Sequence, residues 1–152
     1  QDKDDIIPNG YNKFYYSNGQ ISSEGNLRNG KPDGYWKTYY DNGNLKSEGD
    51  RLDYELEGNW KFYFVDGILK NEIEYKGSKK YGEEKEYDEQ GRLIKLTYYK
   101  NDLRDSLEIR YYPNGNIRMI IPIVDGLEEG TAYEYAADDG RIITIFKYKA
   151  GF

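Results

Sequence analysis

Cysteine and histidine are both missing from this 152-residue sequence, and methionine occurs once. Their absence excludes thiol nucleophiles, His-based triads and zinc sites of the Cys/His type. Long apolar runs are also missing, with none near the roughly twenty residues an α-helix needs to cross a bilayer. Leu, Ile, Val and Phe make up only about a fifth of the chain, a level at which disorder becomes a live alternative. Nor is there a surplus of positive charge: 22 Lys and Arg stand against 28 Asp and Glu, a net charge of −6. The basic residues are interleaved with acids. That balance argues against nucleic acid as a partner and against binding to anionic membrane surfaces.

What the chain has instead is tyrosine. Eighteen Tyr, two Trp and five Phe supply the large buryable area that disordered chains lack. Seventeen glycines accompany them, a composition suited to strands joined by tight turns. The glycines also reveal a repeat. GYNKFYYSNGQISSEG from Gly10 is echoed by GYWKTYYDNGNLKSEG from Gly34 and GNWKFYFVDGILKNEI from Gly58. Weaker echoes start at Gly82, Ser106 and Gly130, so six units follow one another at an unbroken spacing of 24. Such a period is read before any local structure. Residues 1–9 form a polar lead-in or cap, and the repeats span 10–33, 34–57, 58–81, 82–105, 106–129 and 130–152.

Three positions hold in all six units. A tyrosine recurs at Tyr15, Tyr39, Tyr63, Tyr87, Tyr111 and Tyr135. A turn glycine recurs at Gly19, Gly43, Gly67, Gly91, Gly115 and, one place later, Gly140. Two residues beyond it stands Ile21, Leu45, Leu69, Leu93, Ile117 or Ile142. Each unit therefore reads as a β-hairpin. Pro113 in PNGN favours a type I turn closed by a left-handed glycine over a two-residue loop, where its missing N–H would be needed. With a three-residue loop the constant Tyr lies directly opposite the constant aliphatic residue, a favourable cross-strand pair. Single hairpins are marginal in water, so the units stack edge to edge. The expected fold is an all-β, elongated single-layer antiparallel sheet of about twelve strands, twisted and coiled, with negligible helix. Pro8 with the Asp2–Asp5 run, and Lys147 with Lys149, are suited to blunt its two edges.

These phrases resemble the MORN-repeat variant family of bacteria, whose Gly–aromatic–Tyr-Tyr–Asn-Gly–Leu–Glu-Gly unit recurs at just over twenty residues. The resemblance is close from Gly10 to Tyr81; after Gly82 only the constant positions persist. It implies an interaction role without catalytic residues or cofactors. Relatives are commonly labelled antitoxins of toxin–antitoxin systems, and MORN repeats in larger proteins are linked to membrane attachment and scaffolding.

The acids follow the period, as Glu24, Glu48 and Glu72 do, and so do Lys13, Lys37, Lys61 and Lys85. A solvated ladder accounts for them better than paired glycosidase carboxylates. Asp138-Asp139-Gly140 and Asn101-Asp102 match no calcium loop and are ordinary turn chemistry, so no metal is expected. One feature is asymmetric. On the face opposite the Tyr–aliphatic pairs, the first three hairpins carry Phe14, Tyr16, Trp36, Tyr40, Trp60, Phe62 and Phe64; the fourth carries Glu84, Glu86 and Asp88, and the fifth Glu108 and Arg110 beside Tyr112. An aromatic set of this kind is either the core of a thin sheet or a partner surface. The sequence therefore predicts a non-enzymatic module that binds a protein partner, through Trp36, Tyr40, Trp60, Phe62 and Phe64. The alternative is a carbohydrate- or lipid-binding module of the bacterial envelope. The polar start Gln1-Asp2-Lys3-Asp4-Asp5 reads as that of a mature exported protein, periplasmic, outer-surface or secreted; a trimmed start would leave a cytoplasmic one.

Overall fold

The computed structural model describes residues 5–152. They form thirteen antiparallel strands in one open sheet. No helix among them is long and apolar enough to cross a membrane. The expected edge blunting by Asp2–Asp5 falls largely on residues 1–4, outside the described residues.

The chain divides into two compact units, Gln1–Lys79 and Lys80–Phe152. Unit one holds β1 (Gly10–Tyr15), β2 (Ile21–Arg28), β3 (Lys31–Tyr39), β4 (Leu45–Leu52), β5 (Glu55–Tyr63) and β6 (Leu69–Lys76). Almost all of β7 (Lys79–Tyr87) lies in unit two, with β8 (Leu93–Lys100), β9 (Leu103–Tyr111), β10 (Ile117–Val124), β11 (Leu127–Glu128), β12 (Gly130–Tyr135) and β13 (Ile142–Tyr148). The thirteenth strand arises from a break. Pro122 has no N–H to donate, and β10 pairs there with two short strands, β11 through Ile123 and Val124 and β12 through Met119 and Ile120.

The hairpin register is the expected one in all six units. Tyr15 faces Ile21, Tyr39 faces Leu45, Tyr63 faces Leu69, Tyr87 faces Leu93, Tyr111 faces Ile117 and Tyr135 faces Ile142. Gly43 N–H donates to Tyr40 O at 3.0 Å, and Tyr40 N–H to Asn44 O at 2.8 Å. This is the type I turn with a glycine bulge, and it recurs in the first five hairpins. In the sixth the extra residue lengthens the turn, so that Gly140 N–H reaches back four residues to Ala136 O at 3.2 Å.

The hairpins are joined at the opposite end by two-residue turns, which the sequence reading did not identify. Asn29 and Gly30, Asn101 and Asp102, and Asp125 and Gly126 all have positive φ, between 50° and 83°, as a type I′ turn requires. Each also bonds to the unit before it, as when Gly30 N–H donates to Pro8 O at 2.8 Å and Asp102 N–H to Lys80 O at 3.0 Å.

Two rows of directly opposed residues cross each unit, one per face. In unit one the first row is Asn12, Gly25, Trp36, Gly49, Trp60 and Ile73, and all six are buried. On the other face the row alternates in charge: Lys13, Glu24, Lys37, Glu48, Lys61, Glu72. Unit two reverses the assignment. Glu84, Thr97 and Glu108 occupy the first row, and Leu96, Ile109, Ile120, Tyr133 and Ile145 the second. Where the first row turns apolar again, Met119, Ile121, Ile123 and Ala132 form a cluster against Phe146 and Tyr148.

Candidate interaction surface

Trp36 and Trp60 sit on β3 and β5 at equivalent repeat positions, and each ring lies over a glycine of the preceding strand. A Cβ on Gly25 would stand 2.5 Å from the Trp36 ring, and one on Gly49 2.4 Å from the Trp60 ring. No side chain larger than hydrogen fits beneath either indole. The indole N–H groups are satisfied, Trp36 donating to Asn26 O and Trp60 to Asp50 O, both at 2.9 Å. Phe14 stacks beside Trp36 with centroids 6.4 Å apart, Phe62 beside Trp60 at 6.0 Å, and the Arg51 guanidinium covers Trp60 at 5.3 Å. The outcome is burial: 6% of Trp36 and 1% of Trp60 remain exposed.

Tyr40, Phe62 and Phe64, predicted with them, are only partly buried. Tyr40 is fixed by its hydroxyl, which donates to Tyr63 O at 2.7 Å, as Tyr16 donates to Tyr39 O at 2.6 Å. Lysines lean on the outer rings, Lys46 Nζ lying 5.6 Å from the Tyr40 centroid and Lys70 Nζ 5.8 Å from that of Phe64. The turn asparagines lock successive hairpins together. Asn42 Oδ1 accepts from Asn44 N–H within its own turn, and its Nδ2 donates to Val65 O in the next. Beside Trp36 a cleft of about 390 Å³ is lined by Ile6, Phe14, Leu27, Pro32 and Tyr54. The aromatic set is thus split by depth, indoles beneath and Tyr40, Phe62 and Phe64 toward solvent.

On the other face of unit one, Tyr39 donates to Glu24 Oε1 at 2.5 Å and Tyr63 to Glu48 Oε1 at 2.8 Å. The Tyr39 hydroxyl, outweighing burial, holds the Glu24 carboxyl below its usual range, with Lys13 and Lys37 adding to the effect. Burial first, then the carboxylate partner, pushes the Tyr39 and Tyr63 phenols up. The ladder read from sequence as solvated is therefore a hydrogen-bonded frame.

In unit two the first-row acids are buried, Glu84 at 4% and Glu108 at 3% exposed. Lys80 Nζ lies 2.8 Å from Glu84; Arg110 and Arg104 lie 2.8 Å and 3.2 Å from Glu108, and Arg104 also reaches Glu128 at 3.0 Å. The long basic side chains lie over the acids and desolvate them. Carboxylates held this way are buried ion pairs, whose desolvation is offset by their partners. The aspartates weighed as calcium ligands cap turns, Asp139 Oδ1 accepting from Arg141 N–H at 3.1 Å and Asp102 Oδ1 from Lys80 N–H at 2.7 Å.

A family model described as MORN repeat variant matches residues 8–29, 32–51, 56–76, 80–101 and 104–125, well over half of the chain. No curated protein matches the chain.

Proposed function

The chain belongs to the MORN-repeat variant family, and we propose that it is a protein-interaction module whose contact surface is the aromatic face of the first three hairpins. The observation that carries this reading is the difference in depth among the rings. Trp36 and Trp60 are buried on their glycine seats, whereas Tyr40, Phe62 and Phe64 keep part of their surface in solvent on the same face. Rigid, partly exposed aromatic side chains held from beneath are what interface hot spots are made of. The flanking Lys46 and Lys70 add cationic edges to the patch. Buried indoles do not present the open ring that stacking on a sugar requires, which weighs against a carbohydrate site centred on Trp36 and Trp60. An antitoxin-like role is one form that such binding takes, and a toxin gene adjoining this one would support it.

Site-specific photocrosslinking in the producing cell tests the surface. With benzoylphenylalanine at position 40 or 64, a discrete crosslinked protein is expected; with the same residue at position 37, on the opposite face, it is not. Equal products from both faces, or none from positions 40 and 64, would contradict the reading.

A further inference from the structure

The second row of unit two is aliphatic where the equivalent repeat positions of unit one are charged, and it is not needed for the aromatic surface. Leu96 is buried within it, but Ile117, Ile142 and Ile145 are 38%, 52% and 57% exposed. Beside them a shallow groove of about 640 Å³ is lined by Ile117, Ile120 and Tyr135, with Asp138 and Asp139 at its rim. Contiguous apolar surface of this kind is a place where another sheet packs.

The charges along the terminal hairpin say which sheet. Its turn end carries Asp138 and Asp139, their side chains 77% and 54% exposed. Arg141 lies 3.6 Å and 2.6 Å from them, which leaves that end one charge negative. The open end of β13 carries Lys147 and Lys149, both exposed. The nearby Glu129 carboxylate, which accepts from Ala150 N–H at 2.6 Å, offsets one of these charges and leaves the three side chains one charge positive. From one end to the other the face therefore runs acidic, aliphatic, basic.

We propose that this face is a homodimer interface, occupied by the same face of a second copy. A two-fold axis lying between the sheets and across the strands reverses the strand direction. It sets Asp138 and Asp139 of each copy over Lys147 and Lys149 of the other, and it apposes the isoleucine rows at the roughly 10 Å spacing of packed sheets. The pattern is self-complementary only in this antiparallel arrangement; a parallel one would set like charges together.

Sedimentation equilibrium of the full chain tests it. The wild type is expected at twice the chain mass at concentrations up to about 100 μM. Ile142→Glu with Ile145→Glu, both at solvent-exposed positions, should weaken association roughly tenfold or more while the circular dichroism spectrum holds. Lys147→Asp with Lys149→Asp should also weaken it, and adding Asp138→Lys with Asp139→Lys should restore it. A monomeric wild type, a dimer indifferent to the isoleucine changes, or charge reversal without rescue would each overturn the proposal.

Discussion

Single residues show what the repeat demands and where the chain departs from it. Gly34, Gly58, Gly82 and Gly130 start their units with φ between 66° and 100°, and Ser106 holds the same position at 65°. A left-handed backbone costs a side-chain-bearing residue roughly 1 kcal/mol or more. Ser106→Gly should accordingly raise stability by about 0.5–1 kcal/mol, less than the full strain because glycine also loosens the unfolded chain. An upward shift of the melting temperature is the expected readout. Thr97 departs differently. It is 1% exposed, between Glu84 and Glu108, and its Oγ1 is the one buried side-chain polar atom without a hydrogen-bond partner among the described residues. Leaving such a group unpaired costs about 1–3 kcal/mol, and the equivalent positions hold Gly25, Gly49, Ile73 and Ile121. Thr97→Val, similar in shape, should be neutral to stabilising in a urea titration; a loss of more than about 1 kcal/mol would show that the hydroxyl has a partner.

At the scale of the hairpin, much was legible in the sequence, because each constancy within the chain reports one geometric demand. The Tyr–aliphatic constancy and Pro113 led to the three-residue loop and to the register observed. The type I′ turns at Asn29-Gly30 and Asp125-Gly126 carry their usual dipeptide signal, but it does not recur in every unit as the turn glycine does. The glycines of the Glu-Gly phrase were visible too. Their meaning was not, since nothing in a linear pattern says that Gly25 and Gly49 lie beneath indoles eleven residues later. The loss of aromatic residues after Gly82 was seen on one face only. That Leu96, Ile109, Ile120 and Ile145 replace charge on the other needs the cross-strand register, which places residues from four strands in one row. The burial of Glu84 and Glu108 likewise depends on where Lys80, Arg104 and Arg110 lie, which no spacing specifies.

The Tyr–Glu frame makes the hairpins sensitive to acid. Because the Glu24 carboxyl is held below its ordinary range, its contribution is present above the unfolded value, near pH 4.3, and is lost as pH falls through the folded one. Tyr39→Phe removes the leading cause of that shift. It should flatten the fall in urea midpoint between about pH 5 and pH 3, and move the Glu24 titration toward the ordinary value by NMR. An unchanged acid limb would place the sensitivity elsewhere. The raised tyrosines act at the other extreme, their contribution being complete below about pH 10 and lost as pH rises toward their folded values.

At the scale of the whole chain, each of the two units is built from strands alone among the described residues and finds its core on a face of its own sheet. Unit one does so by alternating indole and glycine across strands. Unit two uses ion pairs, then a cluster around Ile121, and leaves aliphatic surface on the reverse. Repeat proteins of this kind distribute stability over neighbouring interfaces, and those formed by Trp36 on Gly25 and Trp60 on Gly49 are central to the account. If both indoles are core, Trp60→Ala should cost about 3–5 kcal/mol, whereas Tyr40→Ala, nearer the surface, should cost distinctly less. A double-mutant cycle in urea on wild type, Gly49→Ala, Trp60→Ala and the double variant examines the seat itself. Gly49→Ala should destabilise strongly while the indole is present and become neutral or stabilising once it is gone, a coupling of at least about 1–2 kcal/mol. Additive effects, or a Trp60→Ala protein that melts like wild type, would contradict the assignment of the tryptophans to the core.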